Sequence, residues 1–217
     1  KRGLRCKIYT TSATRDLCGL MLADSGKVQE EDIRYVNKIN RRLGRPLRKV
    51  LYTQKEGARA IRKFKPLSYR QKIKVTKDIY CTFYDAGHIL GSGIIVLDIK
   101  DDGKSNMRIG YAVDLGRKGL PLLSDPTIIE GMDYLIIEST YGARQHSPIG
   151  EAKAKLCEAI NRTIQRKGKV IIPSFALERA QGVIYFLNEL IKEKVIPSIP
   201  IYLDSPLATN ITEVFRT

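Results

Sequence analysis

Apolar positions recur mostly at a helical period towards both ends of this chain and at a strand period through its middle. Cys6-Lys7-Ile8-Tyr9-Thr10 reads as a short strand leading into Ser12-Ala13-Thr14-Arg15-Asp16, where Ser12 or Thr14 can cap a helix with Leu17, Leu20 and Met21 on one face. From Glu30 to Arg45, Ile33, Val36, Ile39 and Leu43 keep helical spacing in a polar, basic setting, and Gly44 and Pro46 mark the end. This predicts a second, peripheral helix, and a third is expected over 53–64. Strands are expected near 68–75, 79–84, 93–99, 108–113 and 133–138, with Asp101-Asp102-Gly103 as a hairpin turn.

Past Gly142 the period lengthens again. Residues 149–167 read as an amphipathic helix, Val170-Ile171-Ile172-Pro173 as a short buried strand, 176–194 as a helix and Ile201-Tyr202-Leu203 as another strand. Helices alternating with short apolar strands signal βαβ crossovers and a parallel sheet. The expectation is an α/β protein with a strand-rich layered domain over 1–145 and the start of a parallel α/β domain over 146–217.

With 43% apolar residues in 217, the chain can bury a sizeable core. Cys6, Cys18, Cys81 and Cys157 form no C-x-x-C pair and are expected as buried core thiols in a reducing compartment. No apolar run approaches the ~18 residues of a membrane span, and Lys1-Arg2-Gly3-Leu4 does not open a secretory signal. A soluble intracellular protein is expected, cytoplasmic if prokaryotic.

The net charge of +15 is unevenly spread. Residues 1–77 carry 22 Lys/Arg against 6 Asp/Glu, and the remainder is close to neutral. A concentrated patch of this kind suits a phosphate backbone, with a solvated helical face as the plain alternative.

Candidate chemistry clusters after three strands. His88 lies among three glycines in Asp85-Ala86-Gly87-His88-Ile89-Leu90-Gly91-Ser92-Gly93, Asp114 ends the strand of Arg108 to Val113, and Glu138 ends Tyr134-Leu135-Ile136-Ile137. Each has an ordinary reading, a turn histidine or a loop acid capping its own turn. Imidazole and carboxylates delivered by separate strands are what a hydrolytic zinc site requires. No G-x-S-x-G string supports a serine hydrolase. His146, beside Gln145, Ser147 and Pro148, is expected in an exposed loop.

The strings Asp85-Ala86-Gly87-His88-Ile89-Leu90-Gly91-Ser92, Asp114-Leu115-Gly116-Arg117, Glu138-Ser139-Thr140-Tyr141-Gly142, Ile172-Pro173-Ser174-Phe175-Ala176-Leu177-Glu178-Arg179-Ala180-Gln181 and Asp204-Ser205-Pro206-Leu207-Ala208 resemble, in order and spacing, the metallo-β-lactamase nucleases that carry a β-CASP insertion. The resemblance covers essentially the whole chain, Tyr9 to Leu17 included. It implies a partial αββα metallo-β-lactamase sandwich over 1–145 followed by the first part of the β-CASP domain.

It further implies a zinc-dependent ribonuclease with two zinc ions. His88 and Asp114 match metal ligands, Asp114 bridging the two ions, and Glu138 matches an acid that pairs with a β-CASP histidine and helps protonate the leaving oxygen. Ser174, Arg179 and Ser205 match segments beside the cleft and become candidate RNA-phosphate contacts, with Arg41, Arg42 and Arg45 of the basic segment. RNA is the implied partner, and homodimers are known among the prokaryotic members that it resembles. The family's His-x-His-x-Asp-His motif and later β-CASP histidines have no match here. The chain is therefore expected to be an internal piece of the enzyme that alone neither holds zinc tightly nor cleaves RNA. The alternatives are a non-catalytic scaffold of the same fold or RNA-binding partner, and a small-molecule metallohydrolase. The grouping of His88, Asp114 and Glu138 argues against the first, and the basic N-terminal third against the second.

Overall fold

The computed structural model describes residues 5–100 and 106–216, and the turn expected at Asp101-Asp102-Gly103 lies outside them. Strand β1 (Ile8–Thr11) leads into α1 (Ser12–Arg42), one helix of 31 residues where two were expected. No proline interrupts it, and Gly26 is buried inside the helix where α2 (Gln54–Ala60) crosses. A Cβ on Gly26 would lie 2.7 Å from the Gln54 nitrogen, and one on Gly57 would run into the Leu22 carbonyl. The two backbones approach this closely only because both residues are glycine.

The cap of α1 is Thr11 rather than Ser12 or Thr14. Its hydroxyl oxygen accepts from the Thr14 N–H at 3.2 Å, an arrangement worth about 1 kcal/mol. Beyond the far end of α1 the chain folds back along the helix. Asn37 donates to the Arg48 carbonyl and accepts from the Arg48 N–H, both at 2.8 Å, and Asn40 donates to the Pro46 carbonyl at 3.1 Å. Helix α2 opens with a reciprocal capping box between Thr53 and Glu56. It ends before the expected residue 64, because the chain passes through a 3-10 turn at Ile61–Lys63 into β2 (Phe64–Leu67), which pairs in parallel with β1.

A five-stranded sheet follows in chain order: β3 (Lys72–Lys74), β4 (Ile79–Asp85), β5 (Gly93–Ile99), β6 (Met107–Ala112) and β7 (Tyr134–Ile137). Pairing is antiparallel from β3 through β6 and parallel between β6 and β7. Strands β4, β6 and β7 therefore run the same way, and their C-terminal ends emerge at one end of the sheet. Ala86, Ile94 and Ala112 form a buried cluster there, with Leu115 and Ile129 packed against it.

The rest of the described chain is helical: α3 (Ile149–Gln165), α4 (Arg179–Lys192) and α5 (Pro206–Val214). Ile160 of α3 packs with Leu187 and Leu190 of α4 and with Ile196, each such side chain contributing about 1.5–3 kcal/mol. Lys153 bridges Glu189 at 3.0 Å and Glu193 at 2.6 Å across the same pair of helices. The strands expected at 170–173 and 201–203 are not formed, and their side chains are exposed rather than buried, Ile171 at 87% and Tyr202 at 88%. Apolar character fits these runs for a sheet, but a strand also needs a neighbour to complete its ladder, and no described strand pairs with either.

Strand β7 forms as expected, with its four side chains exposed. Of the cysteines only Cys81 is buried; Cys6 is exposed in the segment before β1, and Cys18 and Cys157 are half-buried on α1 and α3. No helix among the described residues is long and apolar enough to cross a membrane.

Candidate active site at the ends of three strands

The shared direction of β4, β6 and β7 places the three sequence candidates at the same end of the sheet. His88 comes three residues after β4, Asp114 two after β6 and Glu138 one after β7. Their loops are joined through Leu115. The His88 Nδ1 lies 3.2 Å from the Leu115 carbonyl, and the Leu115 N–H donates to Glu138 Oε1 at 3.2 Å. A carbonyl only accepts, so Nδ1 carries the proton in that bond and the lone pair of neutral His88 sits on Nε2.

The tight fit of the two loops depends on Gly116. Its N–H donates to the Ala86 carbonyl at 2.9 Å, and a Cβ there would overlap the Gly87 carbonyl. Gly87 and Gly91 both take positive φ, 60° and 81°, so the turn between them bends in a way that L side chains resist.

Several residues that the sequence analysis did not single out hold this turn. The hydroxyls of Thr11 and Thr14 donate to the Gly91 carbonyl at 2.7 and 2.8 Å, and Tyr69 donates to the Ser92 carbonyl at 2.7 Å. Ser92 Oγ accepts from the His88 and Ile89 N–H groups at 3.1 and 3.3 Å. Burial, followed by the charge of Asp85, pushes the Tyr69 phenol up to about 12, so it stays a neutral donor. Thr14 carried a sequence signal as a helix-start residue and Ser92 stood in a recognised motif, while Thr11 and Tyr69 carried none; the threonines reach Gly91 across 80 and 77 positions.

The electrostatics separate two carboxyls. Glu138 is held below the usual carboxylate range, chiefly by a side-chain hydrogen bond with Thr140 and then by the Leu115 N–H, with His88 adding a smaller effect. It is a carboxylate near neutral pH. Glu178 is shifted the other way, because burial outweighs the Leu90 N–H, Arg179 and His88. Its Oε2 accepts from the Leu90 N–H at 3.3 Å, which brings the start of α4 against the His88 turn.

The Beta-Casp domain family matches residues 180–217. Over 215 residues the chain is 30% identical to Ribonuclease TTHA0252 of Thermus thermophilus, covering 99% of this chain and 44% of that protein. It is 38% identical over 212 residues to an RNase J-like protein of Methanocaldococcus jannaschii, covering 93% and 42%. It is 30% identical over 223 residues to Cleavage and polyadenylation specificity factor subunit 3 of Dictyostelium discoideum, covering 100% and 26%.

The chain carries a segment of the β-CASP family, residues 180–217.

It spans less than half the length of these β-CASP relatives. The segment matched as β-CASP comprises nearly all of α4 and the whole of α5.

The donor set around His88 has the chemistry zinc takes, an imidazole with its Nε2 lone pair free and an exposed carboxylate on Asp114. Among the described residues no three His, Cys, Asp or Glu side chains converge to hold a metal ion, so a closed shell takes donors in addition to these two. The phosphate candidates are scattered. Ser205 caps α5, its Oγ accepting from the Ala208 N–H at 3.1 Å. Ser174 is exposed, its hydroxyl donating to the Phe175 carbonyl at 3.4 Å. Arg179 is the exposed first residue of α4, while Arg41, Arg42 and Arg45 lie exposed at the far end of α1. His146 is exposed, its ring 4.2 Å from that of Tyr141.

Proposed function

We propose that this chain is the part of a zinc-dependent RNA-processing β-CASP nuclease that carries His88, Asp114 and Glu138. The reading has a metallo-β-lactamase-type sheet domain through residue 145 and a β-CASP segment from 146. The observation that carries it is the emergence of the three loops at one sheet end, with His88 and Glu138 joined through the peptide groups of Leu115, the neighbour of Asp114. The relatives named as ribonucleases support the same reaction class.

His88 Nε2 and the Asp114 carboxylate would hold zinc together with further donors. Zinc bound there supplies Lewis acidity towards water and the phosphodiester. Leu115 fixes the imidazole in the Nε2-free tautomer, which keeps the ligand nitrogen aimed without a search. Glu138 enters as a carboxylate, so it orients and stabilises a protonated partner such as a histidine, and that partner delivers the proton to the leaving oxygen. Arg179, exposed at the start of α4, would meet an incoming phosphate.

The test is zinc content and cleavage of an RNA oligonucleotide by the full-length gene product and its Asp114→Ala variant. Zinc and cleavage in the parent, with cleavage lost and the fold kept in Asp114→Ala, is the expected outcome. Retained cleavage would remove Asp114 from the site, and an absence of both zinc and cleavage in the parent would favour a scaffold role.

A further inference from the structure

Glu178 is where α4 starts, and its backbone is unusual for that position. Its φ and ψ are 66° and −51°. Lys167 and Lys194 also take positive φ, but they do so just past helix C-termini, where left-handed backbone commonly closes a helix. A helix start asks for extended backbone instead, so α4 does not account for the strained conformation of Glu178. Nor does capping, since the Glu178 side chain makes no hydrogen bond to the N-terminal turn that it precedes. Its carboxylate reaches 88 positions back along the chain to accept the Leu90 N–H at 3.3 Å. Locally the backbone of Glu178 is the centre of a γ-turn closed by the Arg179 N–H on the Leu177 carbonyl at 2.8 Å, a rare and strained turn, and strain of this kind is found where it serves a site.

Thr11, Thr14 and Tyr69 hold the carbonyls of Gly91 and Ser92, and Ser92 Oγ takes the N–H groups of His88 and Ile89. The Leu90 N–H is the next donor in the turn, and it is taken by Glu178 from the other half of the chain. We propose that Glu178 is a positioning residue that locks the turn carrying His88 to the start of α4, so that the imidazole and the Arg179 end of the helix hold one fixed relation to the substrate. The role in catalysis rests on the nuclease reading above; the tie itself does not.

Three variants of the full-length protein separate this from simple stabilisation, each read by hydrogen exchange at the Leu90 amide, by melting temperature, and by kcat and KM on an RNA oligonucleotide. Glu178→Ala is expected to speed Leu90 exchange by about tenfold, the equivalent of one lost hydrogen bond, and to lower kcat with KM little changed. Glu178→Gly relieves the positive φ, so it should melt no lower than the parent and yet show the same fast exchange and low kcat. Glu178→Gln keeps an acceptor oxygen and should recover both. Unchanged Leu90 exchange in Glu178→Ala would overturn the proposal, as would full kcat in Glu178→Gly. Asp114→Ala, assayed alongside, reads the nuclease assignment separately, and Leu90 exchange reports the tie whether or not RNA is cut.

Discussion

Glu138 accepts the backbone N–H of Leu115 at 3.2 Å, and the carbonyl of Leu115 takes the Nδ1 proton of His88 at the same distance. The main chain of one residue, next to Asp114, therefore registers the outputs of β4, β6 and β7 against one another. A small displacement of this loop would move all three functional groups together, so its packing matters more than any single side chain in it.

Gly116 is the point at which that packing fails most readily. Its N–H holds the Ala86 carbonyl at 2.9 Å, and a Cβ would overlap the Gly87 carbonyl. Backbone has to give way, because no flexible side-chain end is involved. Gly116→Ala is expected to cost about 2 kcal/mol or more, lowering the melting temperature by roughly 4–8 °C, and to abolish cleavage by the full-length protein. A variant that melts and cleaves like the parent would mean that the 114–117 loop is free to move.

The pH dependence of Glu138 has a definite sign. Hydrogen bonds with Thr140 and Leu115 lower its folded-state pKa, so its contribution is present above the unfolded value and lost as pH falls through the folded one. Melting curves of the parent and Glu138→Gln, compared from about pH 7 to about pH 3, should differ by an amount that shrinks only in the acid range below about pH 4.5. Other carboxyls titrate in both proteins and cancel. A constant difference throughout would show that Glu138 gains nothing from its partners.

The sheet was largely legible in the sequence because alternation and short apolar runs report strands directly: β5 falls on the expected 93–99, and β4, β6 and β7 within one residue or so at each end. Sites that depend on the approach of distant backbones were not. Gly26 marks a helix crossing, and Thr11 caps α1 while binding Gly91. Glu178 sat inside a recognised motif without any hint of its link to Leu90. Residues 170–173 and 201–203 have the composition of strands, but pairing is decided by neighbours that local sequence does not specify.

The crossing of α1 and α2 gives a stability test away from the site. Gly57→Ala would push a methyl group against the Leu22 carbonyl, and Gly26→Ala one against the Thr53-Gln54 backbone. Each gains about 1 kcal/mol of helix propensity over glycine, yet overpacking typically costs about 1–3 kcal/mol. Both are expected to destabilise, Gly57→Ala the more because its clash is closer. Urea unfolding of the two variants would check this, and a stabilised variant would place the helices farther apart than the structure has them.

The basic end of α1 can be tested for contact with RNA by separating its charge from its shape. Arg41, Arg42, Arg45 and Arg48 are exposed, and Asn37 clamps both peptide groups of Arg48 at 2.8 Å. If these arginines meet phosphates, replacing all four by Ala should weaken binding of single-stranded RNA and flatten its salt dependence by about 0.7 in log–log slope for each phosphate no longer neutralised. Asn37→Ala keeps every charge and frees the segment at Arg48 while Asn40 still holds Pro46, so affinity should fall while the slope stays near the parent's. Binding titrations at several salt concentrations distinguish the cases. Equal loss of slope in both variants would point to collapse of the segment, and unchanged binding in the fourfold variant would assign this surface to solvent alone.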